Sequence, residues 1–453
     1  MKIKRLLAAA LVISTMATTV ACSKGGSKDG SESKSGGKTT ITFWHSMDGV
    51  YADILDKQVK KFNSTIGDKK GITVKAVFQN YPGTEALKAA MSANNVANMP
   101  DVIQMYGENV SMIRDYKRTV WAEDYISKNT STLKKEDLIP NSVSSVSIDG
   151  KMIGVPYSVS ALMLYYNKTQ FEKAGITKVP TTIDEMAKIM PDLVSKAGAQ
   201  DALNVRVNQY ELENWISTQG DKGTFFGDNE SGHNGNMMAL EADKNGSLMK
   251  FLTEWEKVIN TNAYKSTKDS MNEEFAKGMH SMVIMTSSKI PTIASLVGNS
   301  FEWGVAPIPT VDAKDIGGAY ASGSALYMLD RDDKAKVDAS WEFIQYMASA
   351  EAQVMWLDGA GYVPVNIKAQ QLDEYKAAMK KEPRLQAPYD ALMKASTKVV
   401  PSYTPNSSSI DTVVKNAMLN FASKKASKEE TYNTIVQGCK KAIDDYYRTN
   451  PVK

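Results

Sequence analysis

From Thr39 onward the chain alternates between two hydrophobic periods, and this alternation restricts its fold more than any other feature. Thr40 to His45 is a short β-rich run, Tyr51, Ile54, Leu55, Val59 and Phe62 follow at helical spacing, and Ile72, Val74, Ala76 and Phe78 alternate as a half-buried strand. A helix expected from Thr84 to about Asn98 carries Leu87, Ala90, Met91 and Val96, stops before Pro100, and leads into a strand from Val102 to Met105. The order β-α-β-α-β implies a mostly parallel sheet covered by helices, and in open sheets of that kind ligands bind outside the carboxyl ends of the strands. Trp44 to Gly49, Asn80 to Thr84 and Tyr106 to Asn109 are the segments where a site is then expected.

A second α/β set follows. Leu162 to Tyr166 reads as a strand, a helix runs from Lys168 to near Gly175, and Thr182 opens another that carries Met186, Ile189, Met190 and Leu193. Phe251, Leu252, Trp255 and Val258 have helical spacing and precede strand-like Ser281 to Met285 and Phe301 to Ala306. Gly220 to Gly246, rich in Gly, Asn and Asp with few apolar residues, reads as a long surface loop or an insertion. A closing helix begins at the capping box Ser427/Glu430 and places Tyr432, Ile435, Val436, Cys439, Ala442, Ile443 and Tyr446 on one stripe, which makes Cys439 structural.

The start of the chain is of a different kind. Lys2, Lys4 and Arg5 precede an apolar run from Leu6 to Ile13 and small residues to Ala21, the pattern of a signal peptide over residues 1–21. The apolar run is too short for the roughly 20 residues of a membrane span. Cys22, preceded by Val20 and Ala21, resembles the lipidation site of a bacterial lipoprotein, although Thr19 stands where leucine is usual. Ser23 to Lys38 holds five Ser, five Gly and four Lys with nothing apolar, so residues 22–38 read as a lipidated cysteine and a flexible tether.

Removing residues 1–21 takes away three basic groups and leaves 51 basic and 51 acidic side chains. A balanced chain lacks the basic excess that phosphate neutralisation requires, which argues against nucleic acid as a partner. The 453 residues, at 42% hydrophobic and 23% charged, place the body among soluble globular proteins of two or three domains' length.

Six local motifs then appear in order: Trp44-His45-Ser46-Met47, Pro100-Asp101-Val102, Gly154-Val155-Pro156-Tyr157, Leu164-Tyr165-Tyr166-Asn167-Lys168, Gly304-Val305-Ala306-Pro307 and Gly361-Tyr362-Val363-Pro364. Together they resemble family 1 extracellular solute-binding proteins of carbohydrate ABC importers, over nearly the whole mature chain. The resemblance implies a periplasmic-binding-protein-like α/β fold of two lobes, a hinge crossed three times and a cleft between the lobes. It puts residues 39–156 plus 318–365 in lobe 1 and residues 157–317 plus 366–453 in lobe 2. It further implies a monomer without cofactor or metal, anchored by lipid alone to the outer face of the cell membrane, whose partners are a carbohydrate and the importer's permease subunits.

Sugars present C–H faces and a rim of hydroxyls, so their sites combine aromatic plates with hydrogen-bonding side chains. Trp44, Tyr81, Tyr106, Trp215 and Tyr362 are aromatics at or near expected loops, with His45, Glu108, Ser160 and Ser324 as polar neighbours. Within the family the phrasing resembles glycerol-3-phosphate-binding members, which implies ligand contacts at Tyr81, Ser160, Thr286, Gly323 and Tyr362. Two departures weigh against a phosphorylated ligand: Gly107 stands where an acidic residue is usual, and Pro401 to Ser409 contains no arginine. A buried phosphate without a charged partner costs several kcal/mol. A neutral mono- or oligosaccharide fits better, with Tyr403 on its polar edge; glycerol-3-phosphate or a related phosphodiester is the alternative. A surface-anchored glycoside hydrolase is the competing class. It has little support, since Gly-x-Ser-x-Gly and His-Glu-x-x-His are both missing and His45, His233 and His280 are scattered.

Overall fold

The computed structural model describes residues 38–128 and 130–451, except for the side chain of Glu108. Cys22, the signal peptide and almost all of the tether lie outside the described residues.

Among the described residues thirteen strands are formed: β1 Thr39–His45, β2 Ile72–Phe78, β3 Val102–Tyr106, β4 Thr119–Val120, β5 Ser147–Ile148, β6 Lys151–Met152, β7 Val155–Ser160, β8 Leu162–Asn167, β9 Asp201–Asn204, β10 Tyr264–Lys265, β11 His280–Thr286, β12 Trp303–Pro307 and β13 Ser322–Leu329. The first sheet has the order β2-β1-β3-β13-β4, with β7 on the free part of β13, and the second has the order β10-β9-β11-β8-β12. Both sheets are mixed, which corrects the expectation of mostly parallel ones. In the first, β1 runs parallel to β2 and β3, while β13 is antiparallel to β3 and β7. In the second, β9 is parallel to β10 and β11, while β8 is antiparallel to β11 and β12. The antiparallel strands are those reached by the chain as it passes between lobes, where no βαβ crossover dictates direction.

The chain leaves the first sheet through Ala161, the single residue between β7 and β8, and returns between β12 and β13. It crosses a third time after Val363, which bridges to Val159 on β7, before the helices Ser407–Ala422 and Lys428–Thr449 pack beside the second sheet. Two α/β lobes with a three-crossing hinge result.

Local sequence accounts for most of the helices. Gly49–Phe62 buries Ile54, Leu55, Val59 and Phe62, and Thr182 caps Ile183–Ser195 by accepting the Glu185 amide at 3.1 Å. Ser427 and Glu430 form the expected capping box, and Cys439 is buried with Ile435, Ala442 and Ile443. Trp303 and Trp341 are likewise core residues.

Three expectations need correcting. The helix after Thr84 ends at Ser92 rather than near Asn98, and a separate 3₁₀ turn spans Val96–Asn98, so Val96 is only half-buried. The outer half of β2 is unburied on both faces, and Phe78 is 51% exposed; β2 is the edge strand of its sheet. The segment from Gly220 to Gly246 is no surface loop: Phe226, Ser231, His233, Met237, Leu240 and Ala242 are all buried. His233 lies within 2.8 Å of both the Ser147 and Pro401 carbonyl oxygens and stacks on Tyr403 at 4.0 Å.

Candidate functional site

A cavity of about 800 Å³ opens where the carboxyl ends of β3, β7 and β11 meet the start of β13. One wall carries Tyr81, Thr84, Tyr106, Asn109 and Tyr362; the opposite wall carries Gln209, Tyr210, Glu213, Ser402 and Asp411; Ser160, Thr286, Tyr320, Ser322 and Ser324 lie between them. The position follows the rule for open α/β sheets, in which the loops leaving strand ends converge on one edge.

The base of the cavity is a run of hydroxyls that joins the two sheets. Thr286 Oγ1 on β11 donates to Ser160 Oγ on β7 at 2.7 Å, Ser322 Oγ donates to the Ser160 carbonyl at 2.7 Å, and Tyr210 Oη lies 3.0 Å from Ser322 Oγ. Ser324 Oγ accepts from Gln104 Nε2 at 2.9 Å and is hydrogen-bonded to Ser158 Oγ at 2.6 Å. Gly323 sits among these serines at φ +122°, and any side chain there would collide with the Ser158 carbonyl oxygen. Its role is this close approach of β13 to β7.

Tyrosines line the cavity in pairs. Tyr81 and Tyr106 meet edge to face at 5.3 Å, as do Tyr210 and Tyr320 at 5.8 Å. Tyr362 packs on Trp356 at 5.4 Å and is 9% exposed, whereas Tyr81 is 66% exposed. Burial drives the phenols of Tyr362 and Tyr210 well above their ordinary range, so both remain neutral hydrogen-bonding groups.

Of the residues singled out from sequence, Tyr81, Tyr106, Ser160, Thr286, Gly323, Ser324 and Tyr362 line this one cavity. The side chain of Glu108 lies outside the described part of the structure. Four residues lie elsewhere. Trp215 is 0% exposed in the core of the second lobe, packed on Trp255 at 4.8 Å and Phe251 at 5.2 Å, with Nε1 donating to the Pro309 carbonyl at 2.9 Å. His45 is 7% exposed between Phe43 and Phe78, with Nδ1 accepting the Met47 amide at 3.3 Å. Trp44, on the opposite face of β1, lines a separate groove with Ala86, Ala89 and Arg331, because successive strand residues point to opposite sides. Tyr403 is held inward by its amide bond to the Ser231 carbonyl and its hydroxyl bond to the Ser145 carbonyl at 2.7 Å, and its neighbours Pro401 and Ser402 reach the cavity instead.

Sequence reasoning missed Tyr210, Tyr320, Ser322, Gln209 and Glu213. Spacing gave no signal for them: in the helix Gln209–Ser217, Gln209 and Glu213 lie one turn apart directly beside the stripe of Leu212, Trp215 and Ile216, and all five are buried. Among the described residues no group of three or more His, Cys, Asp or Glu is placed to hold a metal ion, and no helix is long and apolar enough to cross a membrane.

Residues 57–383 match the family model described as bacterial extracellular solute-binding protein. The chain belongs to this family. This solute-binding protein is 26% identical over 358 residues to the sn-glycerol-3-phosphate-binding periplasmic protein UgpB of Shigella dysenteriae, an alignment that covers 76% of this chain and 78% of the relative. Its fold is shared by the sugar-binding protein MalE from Xanthomonas citri, with a TM-score of 0.74 at 18% identity over 92% of this chain and 100% of the other. UgpB from Mycobacterium tuberculosis in complex with glycerophosphocholine has the same fold, with a TM-score of 0.69 at 17% identity over 90% of this chain and 99% of the other.

Proposed function

We propose that this solute-binding protein captures a neutral sugar or oligosaccharide between its lobes and delivers it to an ABC importer. The observation that carries this reading is the cavity lining. Tyrosines stand on both walls over a floor of serine and threonine hydroxyls, and Lys88 is the only basic side chain among the described lining residues. Aromatic faces suit the C–H face of a sugar, and hydroxyls suit its rim. A solute that touches both walls binds the closed arrangement more tightly than the open one, and that difference in affinity drives closure. Tyr81, Tyr106, Ser160, Thr286, Ser324 and Tyr362 are the proposed ligand contacts, with residues 39–160 plus 318–365 proposed as lobe 1, extended from the expected boundary at 156 because β7 runs to Ser160, and the remainder of the folded chain as lobe 2.

A binder rather than an enzyme is proposed, in keeping with the relatives named above. Cys22 is the proposed lipidation site, and the outer face of the cell membrane the proposed location.

The relatives' glycerol-3-phosphate names favour a second reading, a glycerophosphodiester ligand. Titration calorimetry of the mature protein against neutral oligosaccharides, glycerol-3-phosphate and glycerophosphocholine decides between the two. Heat and saturation with a neutral saccharide only are expected; saturation with the phosphorylated ligands only removes the sugar reading. Release of sugar products would make the protein an enzyme.

A further inference from the structure

Each hydroxyl in the cavity floor has one proton to give and two lone pairs to receive with, so the bonds among them fix which way the protons point. Ser322 Oγ gives its proton to the Ser160 carbonyl oxygen at 2.7 Å, an atom that can only accept. Ser322 then has no proton for its other neighbours. Tyr210 Oη at 3.0 Å and Ser160 Oγ at 3.3 Å must each be the donor in their contact with it. Thr286 Oγ1 gives its proton to Ser160 Oγ at 2.7 Å. Tyr210 also has the Thr286 hydroxyl beside it, but that proton is already placed, so the phenol donates within the floor whichever neighbour receives it.

All four protons are thus spent inside the protein, and this part of the floor turns lone pairs toward a solute. Ser160 and Ser322 are buried, whereas Tyr210 and Thr286 are half-buried in the cavity lining, so the latter two oxygens are the ones within a solute's reach. The fixed direction does not extend along the whole floor. Ser324 Oγ, which accepts from Gln104, bonds Ser158 Oγ in either sense, so that end can give or receive a proton. Of the groups common on small solutes, a phosphate or carboxylate would set oxygen against oxygen at Tyr210 and Thr286, and an ether or carbonyl oxygen would find no donor there. A hydroxyl brings the proton that both can receive.

We propose that Tyr210 and Thr286 are specificity-determining acceptors, held in that role by Ser322 and Ser160, and that the solute is recognised through neighbouring hydroxyls that donate to them. The proposal rests on the saccharide reading and refines it: the two oxygens that receive a sugar diol turn away an anionic group at the same place. The role of Tyr210 comes from Ser322, 112 residues further along the chain, and so has no local signature in the sequence.

The test uses glucose, galactose, mannose, maltose and maltotriose and, for the tightest binder among them, the forms in which a single hydroxyl is replaced by hydrogen or by fluorine. Fluorine keeps the polarity of the C–O bond but has no proton to give. Calorimetry of the mature protein is expected to show at least one ring position where both replacements weaken binding about tenfold or more and agree within about threefold, the mark of a hydroxyl that donates. In Tyr210→Phe or Thr286→Val the fluorine penalty at the position that each oxygen serves falls below about threefold. Both changes nearly preserve shape and take no acceptor that a floor proton needs, so melting temperatures are expected to change little; the fluorine-to-parent ratio is a readout that a merely structural role would not move. Fluorine that preserves the parent's affinity at every position, or a penalty undiminished in both variants, overturns the acceptor floor and leaves the saccharide reading standing. Saturation by none of the five sugars overturns the saccharide reading and this refinement with it.

Discussion

Trp215 and Tyr81 are both large aromatics that the sequence places near loops, yet they occupy opposite environments. Trp215 is sealed against Trp255 and Phe251 at 0% exposure, while Tyr81 stands at the cavity rim at 66%. The difference arises from what surrounds each residue. Leu212 and Ile216 flank Trp215 on one helical stripe, so its ring has a core to enter; Tyr81 is followed by Pro82-Gly83 in a turn, where no helix face can draw it inward. An aromatic near a loop is therefore informative about a ligand only when its neighbours offer no core.

That contrast can be broken at its strongest point first. Trp215→Ala is expected to destabilise the fold by about 3–5 kcal/mol, the cost of the lost burial plus the cavity it leaves. Chemical denaturation measures this, and a loss under 1 kcal/mol would mean that the ring does not sit in the core. His45 sharpens the comparison, because it was expected at the site and is buried in the first lobe. Burial lowers its imidazole from the ordinary 6.5 to about 4. Below pH 6.5 the unfolded chain gains a proton that the folded site refuses, so this contribution to stability is full above pH 6.5 and is lost between there and pH 4. The loss amounts to up to about 3 kcal/mol, with no further change from this group at lower pH. A His45→Phe variant is expected to flatten that part of the stability profile; an unaltered slope would remove the burial argument.

The smallest effects belong to the rim. Tyr81→Ala is expected to weaken sugar binding by about 1 kcal/mol through lost stacking and to leave the melting temperature unchanged. Tyr362→Ala, whose ring packs on Trp356, is expected to lower affinity by at least as much and also to lower the melting temperature. Calorimetry paired with thermal melts separates the two tyrosines. Equal melting losses in both would erase the distinction between rim and wall.

Much of the fold could be read along the chain because periodicity is a local property. The first three long strands, the helix starting at Gly49, the cap at Thr182 and the closing helix were all visible in residue spacing. The site was legible where turn residues mark it, at Tyr81 beside Pro82-Gly83 and at Tyr362 after Gly361. It was illegible where burial decides. Tyr403 and His45 stand in or beside segments expected to be loops, but Tyr403 donates its amide to the Ser231 carbonyl and His45 accepts the Met47 amide, and both are turned into the interior. The Gly220–Gly246 segment misled for a related reason: its polar composition conceals Phe226, Met237 and Leu240, which fill gaps offered by other parts of the chain.

Alone, then, the sequence determined two α/β halves, the strand ends at which a cavity opens and the tyrosines on its rim, since each depends on residues within a turn or a strand of one another. Only the tertiary structure decided the composition of the second wall. Glu213 and Ser402 are 189 residues apart and meet through a 3.1 Å hydrogen bond, and Thr286 reaches Ser160 across 126 residues to join the two sheets. Contacts of that span are set by how the lobes pack, and no local pattern encodes which side chains will face one another across the cleft.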